Sequence, residues 1–268
     1  MGCAIRILPG FVGVVLSAFG PMAPPAIAAD AISLRFEGFG LLGVPVLTLR
    51  HYLDESEDRY AITVDYTTSG IAGVVIDLTS HAEVTGRFSA DSAQPERYRK
   101  ETRRNGVDRR NRVDYLADGT VVGSSAPPEP ERGPPVAASG TVDNLTAYFL
   151  LERQLARTGS CALTVPVFDG QHRYDLYFSD AGQQLLSPAG GQRFEGSTIA
   201  CRMERRHLVG NPDPEQREGA RRGTIWYARL VPGDVLTPVR MQLETQIGTI
   251  DGYLAALSGR GVELRLME

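Results

Sequence analysis

The stretch Val167-Phe168-Asp169-Gly170-Gln171-His172-Arg173-Tyr174-Asp175-Leu176-Tyr177-Phe178 decides the fold class. Asp169-Gly170 is a two-residue hairpin signal, because both residue types tolerate positive φ. After it the chain alternates. His172, Tyr174, Leu176 and Phe178 fall on one side, and Arg173, Asp175 and Tyr177 on the other. A period of two, apolar against charged, is that of a half-buried strand. The same grammar continues outward in both directions. Ala162 to Phe168 precedes it, and Arg193 to Leu208, Thr224 to Leu230, Val239 to Gln246 and Val262 to Met267 follow. Upstream lie Ile32 to Phe36, Val44 to Leu53, Tyr60 to Tyr66 and Val74 to Val84. The acidic run Asp54-Glu55-Ser56-Glu57-Asp58 is a solvated turn between two of them. Many short runs divided by turn residues predict a mainly β protein.

The basic run Arg97 to Arg112 holds eight Arg and Lys residues around Asn105-Gly106. Asn-Gly favours a type I′ hairpin turn. Pairing outward from it places Arg103 opposite Asp108 and Glu101 opposite Arg110, both favourable. Arg99 then faces Arg112. This reads as a solvated hairpin face, with an anion contact as the sharper alternative. Residues 118–140 contain Pro127, Pro128, Pro130, Pro134 and Pro135. Proline removes a backbone donor, so this segment is expected to be a mobile loop. One helix follows. Asp143 caps it, Leu145, Tyr148, Phe149 and Leu155 share one side with Leu151 near its edge, and Gly159 ends it.

The 268 residues carry 28 basic and 32 acidic side chains, a net charge of −4. Met1 to Ala28 reads as a cleaved signal peptide: Arg6, an apolar run from Ile7 to Phe19, helix-breaking prolines, then Ala26-Ile27-Ala28. The run is too short to span a bilayer, which needs about 20 residues. The expected location is therefore the periplasm, with no transmembrane segment after cleavage. The acidic remainder is a poor partner for nucleic acid. Cleavage removes Cys3 and leaves Cys161 and Cys201. In an oxidising compartment an even pair reads as a disulfide, against the alternative of two separate buried thiols. Neither cysteine has a second ligand at metal-binding spacing. There is no HExxH, nucleophile elbow, P-loop or dinucleotide fingerprint, so no catalytic residue, metal or cofactor is assigned.

The phrase Val167 to Leu176 resembles the signature of the domain-of-unknown-function 3108 family of exported bacterial proteins. Further pieces follow in that family's order: Phe36-x-Gly38 with Gly43-Val44-Pro45-Val46, Tyr60 with Thr68-Ser69-Gly70, and Pro95-x-x-Tyr98. Asp143-x-Leu145-x-Ala147, Trp226, Pro238-Val239-Arg240 and Gly248 complete the set. The likeness spans residues 29–268 as a single domain. It implies a strongly curved antiparallel sheet, an open or spiral barrel with one packed α-helix, similar to periplasmic lipoprotein carriers. Such a concavity suits a lipid or other hydrophobic small molecule. The candidate contacts are Leu145, Tyr148, Phe149, Arg173, Tyr174, Trp226 and Arg240. Two other readings stand beside it: a scaffold for envelope proteins, and a periplasmic hydrolase using Asp169 or Asp175 with His172. Mass spectrometry of the exported protein is expected to find Ala29 as its first residue and a chain two hydrogens lighter than its reduced form.

Overall fold

The computed structural model describes residues 31–128, 138–209, 220–231, 236–245 and 248–268. The signal-peptide reading, the prolines at 130–135 and the loop Asn211-Pro212-Asp213-Pro214 lie outside the described residues. The first half of the chain is a run of seven strands: β1 (Ala31–Phe39), β2 (Pro45–Ser56), β3 (Arg59–Thr68), β4 (Leu78–Phe88), β5 (Ala93–Arg104), β6 (Val107–Tyr115) and β7 (Val121–Ala126). A 3₁₀ turn at Leu41–Gly43 and the short helix α1 (Gly70–Val75) interrupt it. The long helix α2 (Asn144–Thr158) follows. The second half comprises β8 (Leu163–Phe168), β9 (Arg173–Leu186), β10 (Gly196–Val209), β11 (Arg222–Ala228), β12 (Thr237–Thr245), β13 (Gly248–Gly259) and β14 (Val262–Arg265).

These strands make one antiparallel sheet. Its order is β7-β6-β5-β4-β3-β2-β1-β13-β12-β11-β10-β9-β8, with β14 pairing β13 off this path. Two meanders are thus joined where β1 meets β13, from Ile32 opposite Gly259 to Phe39 opposite Asp251. Backbone pairing does not close the sheet, because β7 and β8 stand at its two ends. The segment between those ends carries α2.

The Asn105-Gly106 hairpin forms in the expected register, with Arg103 opposite Asp108, Glu101 opposite Arg110 and Arg99 opposite Arg112. Asn105 (φ 49°) and Gly106 (φ 79°) supply the two positive φ angles. Beyond the acidic run, whose Asp54-Glu55-Ser56 belong to β2 and leave only Glu57-Asp58 as the turn, four expectations about strands and turns need correction. First, Val121–Ala126 is a strand, not loop. The prolines begin only at Pro127, and the turn from Leu116 to Thr120 returns the chain to pair with β6. Second, Gly70–Val75 is helical, so β4 starts at Leu78 rather than Val74. Third, the turn at Asp169-Gly170 spans four residues. The Asp169 carboxylate accepts from the amides of Gln171 (3.0 Å) and His172 (2.8 Å), and β9 begins at Arg173. Fourth, the sequence pattern predicts no strand where β13 lies. Its Gly252-Tyr253-Leu254-Ala255 is buried on both faces, so it shows a continuous apolar run with no alternation to read.

The core explains α2. Asp143 caps it, accepting from the amides of Leu145 (2.9 Å) and Thr146 (3.0 Å), and Gly159 ends it in the left-handed region at φ 69°. The helix carries two apolar stripes, not one with Leu151 at its edge. Leu145 and Phe149 join the cluster of Ile32, Leu34, Phe36, Leu53, Tyr60 and Val84. Ala147, Leu151 and Leu155 join the cluster of Val165, Val167, Leu176, Phe178 and Tyr227. The helix therefore fills the hollow of the sheet and divides its core in two. The Cys161–Cys201 disulfide forms within the second cluster, with Cα atoms 5.6 Å apart. It ties the entrance of β8 to β10, two strands away. We expect Leu151→Ala, at a fully buried position, to cost about 2–5 kcal/mol in urea unfolding. Removing the disulfide should cost about 2–4 kcal/mol in the same measurement.

Candidate functional site

The concavity of the sheet is the place where a binding site was expected, and α2 occupies it. Its first turn is anchored by a buried polar chain. Thr146 Oγ1 donates to Asp143 Oδ2 at 2.6 Å, which leaves its oxygen to accept from Tyr60 Oη at 2.8 Å. Burial pushes the Asp143 carboxyl up, the bonds from Thr146 and Leu145 oppose this, and the result is about 6. Tyr60 also stacks on Phe149, with ring centroids 4.7 Å apart. Phe88 packs edge-on to Phe149, and the Arg153 guanidinium lies 4.3 Å from the Phe88 ring centre.

The seven candidate contacts do not converge on one site. Leu145 and Phe149 are core residues beneath Tyr60. Tyr148 packs edge-on to Phe178 at 5.6 Å. Tyr174 is buried under the Arg205 guanidinium, 3.6 Å from its ring centre. Arg173 is half-buried at the start of β9. Trp226 and Arg240 do meet: neighbouring strands set Trp226, Arg240 and Tyr253 side by side. The guanidinium sits 5.2 Å from each ring centre, and Arg240 Nη2 lies 3.5 Å from Asp251 Oδ1. Trp226 donates its indole hydrogen to Gln184 Oε1 at 2.8 Å. Each of these side chains is already spent on protein contacts.

The Asp169 turn joins the two ends of the sheet. Asn111 on β6 donates to the Asp169 carbonyl at 3.0 Å. Phe168 lies so close over Gly123 of β7 that a Cβ there would sit 2.4 Å from its ring. The Arg205 guanidinium approaches the Asp169 carboxylate at 3.6 Å. Burial raises that carboxyl, but His172 and Arg205 win and hold it at about 2. Asp169 is thus a fixed anion bonded to its own turn, poorly suited to serve as a general base.

Two hollows remain. A cavity of about 20 Å³, room for roughly one water, lies beside α2 and is lined by His51, Glu152 and Arg260 together with Leu34, Leu53 and Leu236. Near it Glu55 binds both Arg153 (3.2 Å) and Arg260. Burial, with Glu55 nearby and against the pull of Arg260, pushes Glu152 up to about 8. Burial pushes His51 down to about 4. Nothing in helix periodicity marked Glu152 or Arg153 as inward-facing, since a one-stripe reading puts both on the polar side. The second hollow, about 380 Å³, spans β3 to β6 and is lined by Asp65, His81, Glu101, Arg103, Asp108 and Arg109, among others. Its charge does not suit an acyl chain. Among the described residues there is no group of three or more His, Cys, Asp or Glu placed to hold a metal ion, and no helix is long and apolar enough to cross a membrane.

This architecture defines a β-barrel-like protein with an unclosed sheet and a helix for its filling. The crystal structure of a β-barrel-like protein of domain of unknown function DUF1849 from Brucella abortus shares the fold. The two align with a TM-score of 0.52 and 12% sequence identity over 87% of this chain and 99% of that one. Residues 33–255 match the family described as protein of unknown function (DUF3108), and the chain belongs to that family. None of the curated proteins matches it in sequence.

Glu152 and His51, both half-buried at the cavity beside α2, act in opposite directions with pH. The unfolded Glu152 loses its proton near 4.5, but the folded one keeps it to about 8. Its contribution to stability is complete below pH 4.5 and is lost as pH rises to 8. The unfolded His51 gains a proton near 6.5, the folded one only near 4, so its contribution is lost as pH falls through that interval. Glu152→Gln is therefore expected to raise stability at pH 8.5 by on the order of 1–3 kcal/mol and to change little at pH 4.5. Urea unfolding at the two pH values checks this.

Proposed function

We propose that this chain is a non-enzymatic exported protein of the cell envelope, and that it holds partner proteins through the open edge of its sheet. The observation that carries the reading is the unequal treatment of the two sheet ends. At β8, Val142 pairs with Val167 as a short parallel bridge, its amide donating to the Pro166 carbonyl (3.0 Å) while Phe168 donates back to the Val142 carbonyl (2.9 Å). At β7, pairing runs to β6 alone among the described residues. The sequence of β7, Val121-Val122-Gly123-Ser124-Ser125-Ala126, carries no charge and no proline. Sheet edges are usually blunted by such residues, and an unblunted edge is a template for strand addition. Export is supported by the apolar leader and by the disulfide, which an oxidising compartment maintains.

A lipid-like ligand inside the curved sheet is the reading the sequence favours. The cavity beside α2 is far below the 300 Å³ or so of ordinary ligand sites, so a ligand there would have to displace the helix. The neighbour in Brucella abortus supports the fold alone, and the family's description assigns no reaction.

A photo-crosslinking amino acid placed at Val122 in living cells tests the reading. The expected result is a discrete adduct at Val122, absent from a probe at Arg265, and reduced at least fivefold by Ser124→Lys. No adduct at Val122, together with a stoichiometric lipid in native mass spectrometry, would overturn partner docking in favour of ligand binding.

A further inference from the structure

The end of the sheet where β1 turns into β2 is built differently from the rest of the surface. In a chain with 22% charged residues, Phe39 to Leu49 and Tyr66 to Ile76 contain none. The structure brings these two segments to the same rim. Ser69 donates its amide to the Val46 carbonyl at 3.0 Å, joining the β3–β4 connection to the start of β2. The next connection is joined on as well: Asp77 donates to Asn105 Oδ1 at 3.0 Å, and the Asn105 amide donates to the Asp77 carbonyl at 2.7 Å. Three successive connections thus form one rim.

That rim exposes apolar side chains. Leu41 is 86% exposed, Leu42 92%, Val74 87% and Val107 54%. Leu42 also sits in the left-handed region at φ 61°. Glycine and asparagine adopt that conformation readily, whereas a leucine does so at a cost. Here no burial of the side chain offsets it. The tip is nevertheless well defined, with Gly40 donating to the Val44 carbonyl at 2.9 Å and Gly43 to the Gly40 carbonyl at 3.1 Å. A strained, exposed leucine held on a tight turn points to a contact made outside the chain.

Beside these side chains stand cations. Arg103 and Arg104 end β5, and Arg109 and Arg110 follow the turn on β6. Asp108 meets Arg103 at 3.8 Å and Glu101 meets Arg110 at 3.5 Å, and all four side chains are at least 60% exposed, so salt and water screen both pairs. Exposed apolar tips on one rim, fringed by arginine, match the two layers of a bilayer surface: acyl chains below and anionic head groups above. A folded protein partner would instead call for a contiguous, shape-matched patch. We propose that this rim docks the chain peripherally onto an anionic phospholipid bilayer, with Leu41, Leu42 and Val74 entering the interface and the β5–β6 arginines meeting lipid phosphate. This contact is separate from the β7 edge and survives if partner docking there fails.

The test is co-sedimentation of the chain, expressed from its full sequence and purified from the soluble fraction, with vesicles. One set is phosphatidylglycerol with phosphatidylethanolamine, the other phosphatidylcholine alone. The expected result is binding to the anionic vesicles that weakens at least tenfold in 0.5 M salt and on phosphatidylcholine. Leu42→Asn is the informative variant, because asparagine tolerates the backbone conformation. It should lose at least fivefold in vesicle binding while its melting temperature stays equal or rises. Absence of binding to anionic vesicles overturns the proposal. So does binding that Leu42→Asn leaves unchanged, which would assign the attraction to the basic hairpin alone. A concentration-dependent dimer abolished by Leu42→Asn would also overturn it, by showing that a second copy covers the rim.

Discussion

The buried hydrogen-bond chain from Asp143 through Thr146 to Tyr60 is the contact on which the fold depends. A helix placed inside a sheet brings its first amides into a region without water, and each must find a partner. Asp143 supplies acceptors for two of them from a fully buried carboxyl, and Thr146 passes the link to β3 through Tyr60. Once the helix entrance is fixed in this way, the two apolar stripes of α2 can face the two halves of the sheet. The geometry also explains why the sheet does not close by pairing. Its ends are the strands that flank the helix in the chain, and the helix lies between the layers they would have to join. Side-chain packing closes it instead, through Phe168 over Gly123 and Asn111 on the Asp169 carbonyl.

A filled interior moves function outward. The residues that looked suited to a ligand, Leu145, Phe149, Tyr174 and Trp226, have their surface buried against neighbouring side chains. Glu152 and His51, both half-buried, border a space for about one water. At its surface the molecule presents an uncharged strand at β7 and an apolar rim at Leu41, Leu42 and Val74. Both are departures from the usual defences of a soluble β protein, which guards its edges with charge and keeps leucine from exposed turns.

The features legible from sequence share one property: they are local. The Asn105-Gly106 register follows from the φ angles of two residues, and the Asp143 cap from the acceptor geometry of one side chain. The alternation from Tyr174 to Phe178 follows from pleating. Features that depend on remote neighbours were not legible. The strand β13 shows no alternation because it is covered on both faces. Periodicity puts Leu151 at the edge of a stripe because it counts one buried face, and α2 has two. The buried roles of Glu152 and Arg153 depend on Glu55 and Arg260, about a hundred residues away in either direction.

By itself the sequence determined the class of secondary structure, the Asn105-Gly106 hairpin, the ends of the helix and the family signature around Asp169, since each rests on forces between residues close in the chain. It also identified the two cysteines that pair. Tertiary structure alone decided that α2 turns apolar stripes to both halves of the sheet, that β1 and β13 join the two meanders, and that β7 pairs with β6 alone among the described residues. Those outcomes turn on which distant surfaces meet, and a side chain's own neighbours in sequence exert no control over what is packed against it from across the fold.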